Sequence, residues 1–387
     1  MEVLIVSERI SPMEVNIPPN GKEFILKNVE KIIDSRDAWT DNKFVNEFEA
    51  KFSAYVGSKY AIAVNNGLSA LMACFFSLGL YNSESIAFVP TLTAPPTAIA
   101  CAYCNMKVVF VDSSVDDLGM DVDDLKEKIK KYHQGKSVIV PVHISGIVSE
   151  NIDKTILLGK EYDIPVVEDC AHAHGASYEG VCAGLRGDMG IFSFFMTKVL
   201  MSGEGGIIVT NDKIHDDTCK VIRNYGKVAG RYEHIGANWR MSELNAVVAL
   251  WQTMDAERIL DERTRIAEQY NSLLGNQGGL KLLTISPKQK SAYYKYVVYI
   301  SKHINRDELK KTLNQKYSVT LSGAVYENPC HREPVFYKFK NFINLNDSFP
   351  QSDFIADQQI CLPIYPGLDN TSVAYIANSL KESLNFL

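Results

Sequence analysis

The chain has 387 residues, 46% of them hydrophobic and 22% charged, which suffices for one large domain or for a large domain with a smaller one. The formal net charge of -6 argues against a general affinity for nucleic acid or anionic membranes. No apolar run reaches the ~18 residues of a membrane-spanning helix, and the opening MEVLIVSERISPMEVN has charges where a signal peptide is apolar. These features predict a soluble cytoplasmic protein without nucleic-acid or membrane partners.

Short apolar runs alternate with helical patterns from about residue 44 to residue 225. The helical spacing of FVNEFEAKFSAYVG stops at Gly57, and the run YAIAV then leads through a Gly-containing turn into the apolar helix LSALMACFFSLGL. Helical patterns such as DVDDLKEKIKKY separate the later β-rich runs. Those runs are SIAFVP, KVVFVD, SVIVPV, IPVVED, IFSFF and GIIVT. This alternation predicts an α/β fold, with a mostly parallel sheet covered by helices on both faces.

A second, smaller domain is predicted toward the C-terminus. From Ser242 a helical pattern runs without Gly or Pro to about Leu274, long enough to link two domains. We therefore expect a large domain over residues 1–250 and a small α+β domain over residues 251–387. In YYKYVVY, the tyrosines alternate as in a half-buried strand, which favours strand packing for all three of them, Tyr293, Tyr294 and Tyr296.

The cysteines favour buried, reduced thiols over disulfides or a metal site. Cys101 and Cys104 form a CxxC motif, but it ends an apolar helical stretch instead of opening a helix after a strand, so core packing is the better interpretation. No second CxxC or His pair supplies zinc-ligand spacing. The full set is Cys74, Cys101, Cys104, Cys170, Cys182, Cys219, Cys330 and Cys361.

Polar stretches should converge beyond the carboxyl ends of a parallel sheet, where ligands bind in such folds. In VNNGLSAL, strand, turn and helix follow one another, so the helix N-terminus offers N–H groups to a phosphate. The alternative is an ordinary turn that needs Gly67 for a positive φ. In VVEDCAHAHG, a strand ends at Asp169, with His172 and His174 just after it. Asp169 can hold a protonated pyridine nitrogen or cap a helix, and the histidines lack the further ligands of a metal site.

Lys198 stands where a surface lysine is not expected. The strand IFSFF leads into Thr197 and Lys198, and the Gly-rich turn SGEGG and another strand follow. Desolvation in such a place favours the neutral amine, which is the form that attacks a carbonyl. A fourth polar stretch, RNYGKVAGRYEHIGANWRMSEL, precedes the long helical pattern.

Together these motifs resemble the DegT/DnrJ/EryC1/StrS family of sugar aminotransferases, which are fold-type I enzymes dependent on pyridoxal 5′-phosphate (PLP). The likeness covers nearly the whole chain. The stretches that match, in the family's order, are EFEAKFSAYVGSKYAIAVNNGLSAL, KVVFVD, PVHISG, VVEDCAHAHGASYEG, GDMGIFSF, TKVLMSGEGG, NWRMSE and LPIYPGL. The implied fold is a seven-stranded-type, mostly parallel sheet in a large domain with a smaller α+β domain.

The resemblance implies a role for each matching residue. Lys198 corresponds to the lysine that forms a Schiff base with PLP, Asp169 to the partner of the pyridine nitrogen, and His172 to the residue against the ring. Ser193 corresponds to a serine that binds the cofactor phosphate. The amides of the Gly-containing turn correspond to the rest of the phosphate site, and Asn238 to a residue that reaches the partner subunit's cofactor, which implies a homodimer with shared active sites. The turn amides are those of Gly67, Leu68 and Ser69.

Three departures from the family pattern stand out. Leu68 replaces the usual Thr, so a side-chain phosphate contact is lost or comes from Ser69. Ala94, in PTLTAPPT, replaces an aromatic residue that stacks on the cofactor ring. We expect another side chain to fill that space, and the alternative is that substrate enters it. DAWTDNKF lacks the Gly that usually follows Thr40.

The resemblance implies transfer of an amino group from glutamate or glutamine to a keto-sugar, with a nucleotide-linked keto-deoxysugar favoured. A free cyclitol ketone is the alternative acceptor, because TKVL and SGEGG also resemble members acting on cyclitols. A PLP-dependent sugar dehydratase is disfavoured by Lys198, since those relatives have His there, and a non-catalytic binding module remains a separate class. His331 is either a loop residue or points into the partner's site. Arg240 either binds an anion or pairs with Glu243.

Overall fold

The computed structural model describes residues 9–40 and 42–385. Its helices are α1 (Pro19–Asp34), α2 (Lys43–Val56), α3 (Gly67–Ser77), α4 (Pro95–Tyr103), α5 (Val122–Tyr132), α6 (Ile152–Glu161), α7 (Lys213–Arg223), α8 (Glu243–Met254), α9 (Ala256–Leu274), α10 (Arg306–Tyr317), α11 (Pro350–Asp357) and α12 (Asn370–Leu384). Short 3-10 helices lie at Ile144–Gly146, Cys330–Arg332 and Phe336–Lys338.

The strands are short and mostly buried. They are β1 (Tyr60–Val64), β2 (Ile86–Pro90), β3 (Lys107–Val111), β4 (Ser137–Ile139), β5 (Val167–Asp169), β6 (Ser177–Tyr178), β7 (Val181–Cys182), β8 (Met189–Ser193), β9 (Gly206–Thr210), β10 (Lys227–Val228), β11 (Arg231–Tyr232), β12 (Leu280–Leu282), β13 (Gln289–Lys290), β14 (Tyr296–Ile300) and β15 (Gln359–Leu362).

Seven of these strands form one mostly parallel sheet, as predicted. Two ladders, β1-β9-β8-β5 and β3-β2-β4, are joined by parallel bridges between β4 and β5 at Ile139–Val166 and Val142–Asp169. The combined order is β1-β9-β8-β5-β4-β2-β3, and β9 alone is antiparallel to its neighbours. The carboxyl ends of the parallel strands therefore share one edge, where ligands bind in open α/β sheets.

Helices cover both faces of this sheet, which explains why its strands are apolar along their whole length. Alternate residues of β1 enter different cores: Ala61 and Ala63 pack with α2 and α8, whereas Ile62 and Val64 pack with α3, α4 and α7. Residues Met189–Ser193 and Gly206–Thr210 are buried throughout. The site therefore lies at the edge of a buried sheet.

The small C-terminal unit is built on the antiparallel sheet β12-β14-β15. Its core takes residues from α9, α10 and α12, and also includes Ile10, which bridges in parallel to Val319. The first half of α9 packs on the large sheet through Ile259 and Leu260, whereas its second half packs in the small core through Ile266 and Tyr270. Helix α9 therefore connects the two cores directly.

The continuous helix predicted from Ser242 to Leu274 is wrong in one respect, because it is interrupted at Asp255. That residue ends α8 with φ -96° and ψ 4° and precedes α9. Its carboxylate accepts hydrogen bonds from Arg258 Nε at 3.0 and 3.1 Å, one turn into α9. No Gly or Pro stands at this break, so the sequence pattern did not predict it.

The cysteines are free, and all but the partly exposed Cys182 are buried. Cys101 lies in the last turn of α4 and Cys104 just after it, both in the core that covers the sheet. This confirms the packing interpretation of the CxxC motif. Within residues 9–40 and 42–385, no helix combines the length and the apolarity needed to cross a bilayer.

Candidate active site

The carboxyl ends of β5 and β8 bring Asp169 and Lys198 to the same region of the sheet edge. Asp169 is the last residue of β5 and pairs in register with Ile191 of the neighbouring strand β8. Beyond β8 the chain turns, with the Lys198 N–H donating to the Phe195 carbonyl at 2.9 Å. Parallel pairing of two strands distant in sequence thus creates the expected juxtaposition.

Asp169 is buried and held at both carboxylate oxygens. Oδ1 accepts from the Ala171 N–H at 3.0 Å, and Oδ2 accepts from the Thr97 hydroxyl at 2.8 Å. Burial raises the pKa of Asp169, and these hydrogen bonds and the nearby Lys198 charge oppose that rise. Turns rather than a helix follow Asp169, so the helix-cap interpretation is wrong. The carboxylate is fixed in place for a cationic or N–H partner.

Lys198 is the basic counterpart. Burial lowers the pKa of its amine from 10.5 to about 8, with the Asp169 charge opposing this and the Lys295 charge adding to it. Its Nζ lies 5.0 Å from the ring centre of Tyr294. A neutral amine is therefore accessible near neutral pH, as a lysine that attacks a carbonyl requires.

Aromatic rings stack beside this pair. His172 is buried, and its ring lies 4.0 Å from that of Tyr294 at an interplanar angle of 23°. The Tyr326 hydroxyl is 3.4 Å from His172 Nε2, and it lies close to the backbone of Ala94. Burial, followed by the Lys198 and Lys295 charges, holds the pKa of His172 well below its usual range, so the imidazole is neutral.

The helix N-terminus at α3 has the predicted form, but Gly67 plays a different part. Gly67 is the first residue of α3 and has no positive φ, so the interpretation as a positive-φ turn is wrong. A Cβ added at Gly67 would lie 3.0 Å from the Ser193 Cβ, and one added at Gly206 would lie 2.4 Å from the Asn66 carbonyl oxygen. Glycine is needed here so that α3, β8 and β9 can approach closely.

The first turn of α3 keeps donors for an anion. Asn66 Oδ1 accepts from the Ser69 N–H at 2.8 Å and from the Ser69 hydroxyl at 3.0 Å. Ser69 is therefore already satisfied within the chain. The Gly67 and Leu68 N–H groups belong to the first turn, which has no intrahelical acceptors, and they lie beside buried Ser193.

Arg240 does not pair with Glu243, so that interpretation is wrong. Arg240 Nη1 donates to Asn224 Oδ1 at 2.7 Å, and the guanidinium lies 5.0 Å from the ring centre of Tyr225. The Glu243 carboxylate instead accepts backbone N–H groups at the start of α2. Those donors are Asn42 at 3.0 Å, Phe44 at 2.7 Å and Val45 at 3.1 Å.

Within this chain, Asn238 and His331 contact residues other than Asp169 and Lys198. Asn238 is exposed and forms an isolated antiparallel bridge with Asn224. His331 is buried, with Nδ1 2.8 Å from the Thr91 hydroxyl and Nε2 3.1 Å from Asp353 Oδ1. Both ring nitrogens of His331 thus have partners within the chain, which is unlike an exposed loop residue.

Two further buried polar residues near the site, Glu168 and His174, have structural roles. Glu168 is fully buried and accepts from the Gly184, Arg186 and Gly187 N–H groups, while its Oε2 lies 2.7 Å from His143 Nε2. Ligand atoms of His143, Glu168 and Cys170 lie within 4.8 Å of one another, but the hydrogen bonds to Glu168 already account for that carboxylate. His174 packs among Phe52, Phe192 and Phe194, so it is a core residue.

Sequence reasoning missed three residues of this site: Thr97, Tyr294 and Tyr326. Strand packing was predicted for Tyr294, but β14 starts only at Tyr296, and Tyr294 instead reaches His172 and Lys198. The prediction does hold for Tyr296, which is buried within β14. No local pattern marks Thr97 or Tyr326, because both reach the site from segments distant in sequence.

The arrangement fits PLP. A buried carboxylate suits a ring N–H, the Lys198 amine suits the aldehyde, and the first-turn N–H groups of α3 with Ser193 suit the phosphate. His172 supplies a flat neutral ring beside them. The residues present therefore suit the ring nitrogen, the aldehyde and the phosphate of the cofactor.

Comparisons with known proteins identify the family of this chain. The model of the DegT/DnrJ/EryC1/StrS aminotransferase family matches residues 19–381. A GDP-perosamine synthase of Escherichia coli O157:H7 is 30% identical over 371 residues, covering 94% of this chain and 95% of the relative. A dTDP-3-amino-3,4,6-trideoxy-alpha-D-glucose transaminase of Micromonospora megalomicea subsp. nigra is 30% identical over 354 residues, covering 89% and 90%. The crystal structure of a DegT DnrJ EryC1 StrS aminotransferase from Brucella abortus is similar with a TM-score of 0.85 at 26% identity, covering 93% and 95%.

Proposed function

Because this chain belongs to the DegT/DnrJ/EryC1/StrS aminotransferase family, we propose that it transfers an amino group from glutamate or glutamine to a nucleotide-linked keto-deoxysugar, for the synthesis of a glycan or antibiotic sugar. The protein is an aminotransferase and its cofactor is PLP. Two relatives of 30% identity bear the names of GDP- and dTDP-linked sugar enzymes, which supports a nucleotide-linked acceptor.

The observation that most supports this reaction is the placement of Lys198 beside Asp169 at one edge of the sheet. PLP, when bound, supplies the electron sink that allows an amino group to move between carbon skeletons. Asp169 would accept the ring N–H of PLP and stabilise its positive charge. The Lys198 amine would hold the aldehyde of PLP, and in its neutral form it is a base able to move a proton at this site. His172 covers one face of the ring.

The phosphate of the cofactor is assigned to the Gly67 and Leu68 N–H groups and Ser193. Ser69 is left out of this phosphate site, because its N–H and its hydroxyl both already donate to Asn66. Asn238 is exposed on this chain. We infer that it serves the cofactor of a second subunit, in a cytoplasmic homodimer with shared sites.

Mixed dimers test that assembly. Lys198→Ala and Asn238→Ala chains, each inactive alone, are coexpressed with different tags and the heterodimer is purified through both. In the heterodimer one site has both defects and the other has neither, so about half of the wild-type activity per dimer should return. A verified heterodimer without activity would contradict shared sites.

The acceptor is tested with a panel of nucleotide-linked keto-sugars and free cyclitol ketones, each with glutamate and with glutamine. Product amines are identified by mass spectrometry. Amination of a GDP- or dTDP-linked keto-sugar is expected. Amination of cyclitol ketones alone would establish the alternative acceptor, and dehydration without net amination would overturn the aminotransferase reaction.

A further inference from the structure

Arg263 is a buried cation without a carboxylate partner in the part of the chain that the structure describes. It lies in α9 and is 5% exposed. Its Nη1 donates to the Tyr293 carbonyl at 2.9 Å and to the Ile364 carbonyl at 3.1 Å, whereas its buried Nε has no acceptor there. A buried guanidinium bonded only to carbonyls keeps an uncompensated charge, which is costly unless an anion joins it.

A second cation stands on the same side of the site. Lys295 follows Tyr294 at the start of the small-domain sheet, and its Nζ donates to the Ser322 carbonyl at 2.9 Å. Over residues 9–40 and 42–385 it forms no ion pair with a carboxylate. Burial lowers the pKa of Lys295, and the Arg263 charge lowers it further. The two cations therefore repel each other, and neither is neutralised by the protein.

Arg263 lines a hollow that includes Lys198, and both cations line a second hollow that shares Thr197 and Arg263 with the first. One hollow includes Thr197, Arg263, Tyr294 and Lys295, and an adjoining hollow includes Thr197, Lys198 and Arg263. The one acidic residue on either lining is Glu14, which is exposed and directed to Tyr365. A molecule that reaches Lys198 through these hollows meets positive charge.

We propose that Arg263 and Lys295 form a carboxylate-binding subsite for the amino donor. Arg263 presents a planar guanidinium that suits a carboxylate geometrically, and Lys295 adds a second donor from the segment before β14. The subsite lies next to Lys198, where the donor's amino group must react. This inference rests on the proposed function and adds to it the residues that hold a carboxylate of the donor.

The donor half-reaction tests the proposal without knowledge of the acceptor. The PLP-loaded enzyme is mixed with L-glutamate alone, and the change in cofactor absorbance is followed in a stopped-flow instrument over a range of glutamate concentrations. For Lys295→Gln we expect the half-saturating glutamate concentration to rise at least about tenfold, the loss typical of one hydrogen bond to a charged group. The rate at saturating glutamate should change much less.

Lys290→Gln is the matched control. Lys290 is an exposed lysine paired with Glu257, and its substitution should leave glutamate saturation unchanged. Arg263→Lys retains a cation and Arg263→Gln does not, so the second should weaken glutamate more. Melting temperature and cofactor content are measured for both, because each also loses contacts to the Tyr293 and Ile364 carbonyls.

Binding without turnover gives an independent readout. Glutarate has two carboxylates and no amino group, so it can occupy the subsite without reacting. It should perturb the absorbance of PLP in the wild type and in Lys290→Gln, and bind at least about tenfold more weakly to Lys295→Gln. The neutral analogue glutaramide should not compete with it.

Three outcomes are distinguished. If Lys295→Gln leaves both glutamate and glutarate binding intact, the subsite is refuted. If it weakens only the acceptor, measured with the aminated form of the enzyme, the cations serve the acceptor instead and the proposal is overturned. If no amino acid converts the wild-type cofactor at all, it is the proposed function that fails.

Discussion

The Thr97 hydroxyl donates a 2.8 Å hydrogen bond to Asp169 Oδ2, joining the first turns of α4 to the end of β5 beneath the site. This contact lowers the pKa of Asp169 against the effect of burial. It also leaves the carboxylate one defined orientation. Thr97 is therefore a positioning residue for the acid that we propose holds the cofactor.

Thr97→Val should slow the donor half-reaction about tenfold, because one hydrogen bond to a charged group is lost. Thr97→Ser keeps the hydroxyl and should restore most of the rate. Thr155→Val, at another buried threonine that bonds only to its own helix, is the control and should have little effect. Equal rates for Thr97→Val and the wild type would show that the bond does not matter for Asp169.

Asp169→Asn removes the negative charge while keeping most of the side-chain shape. In a buried site this loss should reduce turnover by on the order of a thousandfold. PLP content, read from absorbance, is measured alongside turnover to separate weak binding from slow chemistry. A reduction in turnover of less than about tenfold would mean that Asp169 has only a structural role at the end of β5.

Cofactor loading should depend on pH through Lys198. The neutral amine is the reactive form, and burial lowers its pKa from 10.5 to about 8. The rate at which apoenzyme takes up PLP should therefore rise with pH, reach half its limit near pH 8 and level off above it. A rate still rising steeply at pH 10 would mean that the lysine is not desolvated.

Ala94→Phe tests what occupies the space left by the small residue. The Tyr326 hydroxyl already lies close to the Ala94 backbone, so a second ring should collide with Tyr326 and raise the dissociation constant of PLP about tenfold. Adding Tyr326→Leu should relieve the collision and recover PLP binding. Unchanged PLP binding with a raised acceptor KM would instead mean that substrate enters this space, and no change in either would place residue 94 away from the ring.

The sequence was sufficient for the sheet and for its principal site residues. Apolar runs alternating with helical patterns specify a covered parallel sheet, and parallel strands must end at one edge, so Asp169 and Lys198 were predictable together. The start of a helix at Gly67 was also predictable, although the reason for the glycine was not. That reason is its approach to Ser193, a contact between distant strands.

Contacts that arise only from packing of distant segments could not be predicted. Tyr326 reaches the site because Cys330 N–H donates to the Thr91 carbonyl at 2.7 Å, laying one segment along the other. In the same contact between segments, His331 Nδ1 lies within hydrogen-bond distance of the Thr91 hydroxyl. Nothing in the local pattern of either segment encodes this pairing. The uncompensated charge of Arg263 is likewise visible only when its surroundings are assembled.

The identity of the lysine that holds the cofactor is the most direct test of this account. Borohydride reduction of the PLP-loaded enzyme fixes the cofactor to the amine that binds it, and digestion with mass spectrometry locates the modified residue. The label should be found on Lys198, and the Lys198→Ala enzyme should carry no label and show no turnover. Labelling of Lys295 or another lysine, or near-normal turnover by Lys198→Ala, would contradict the central claim.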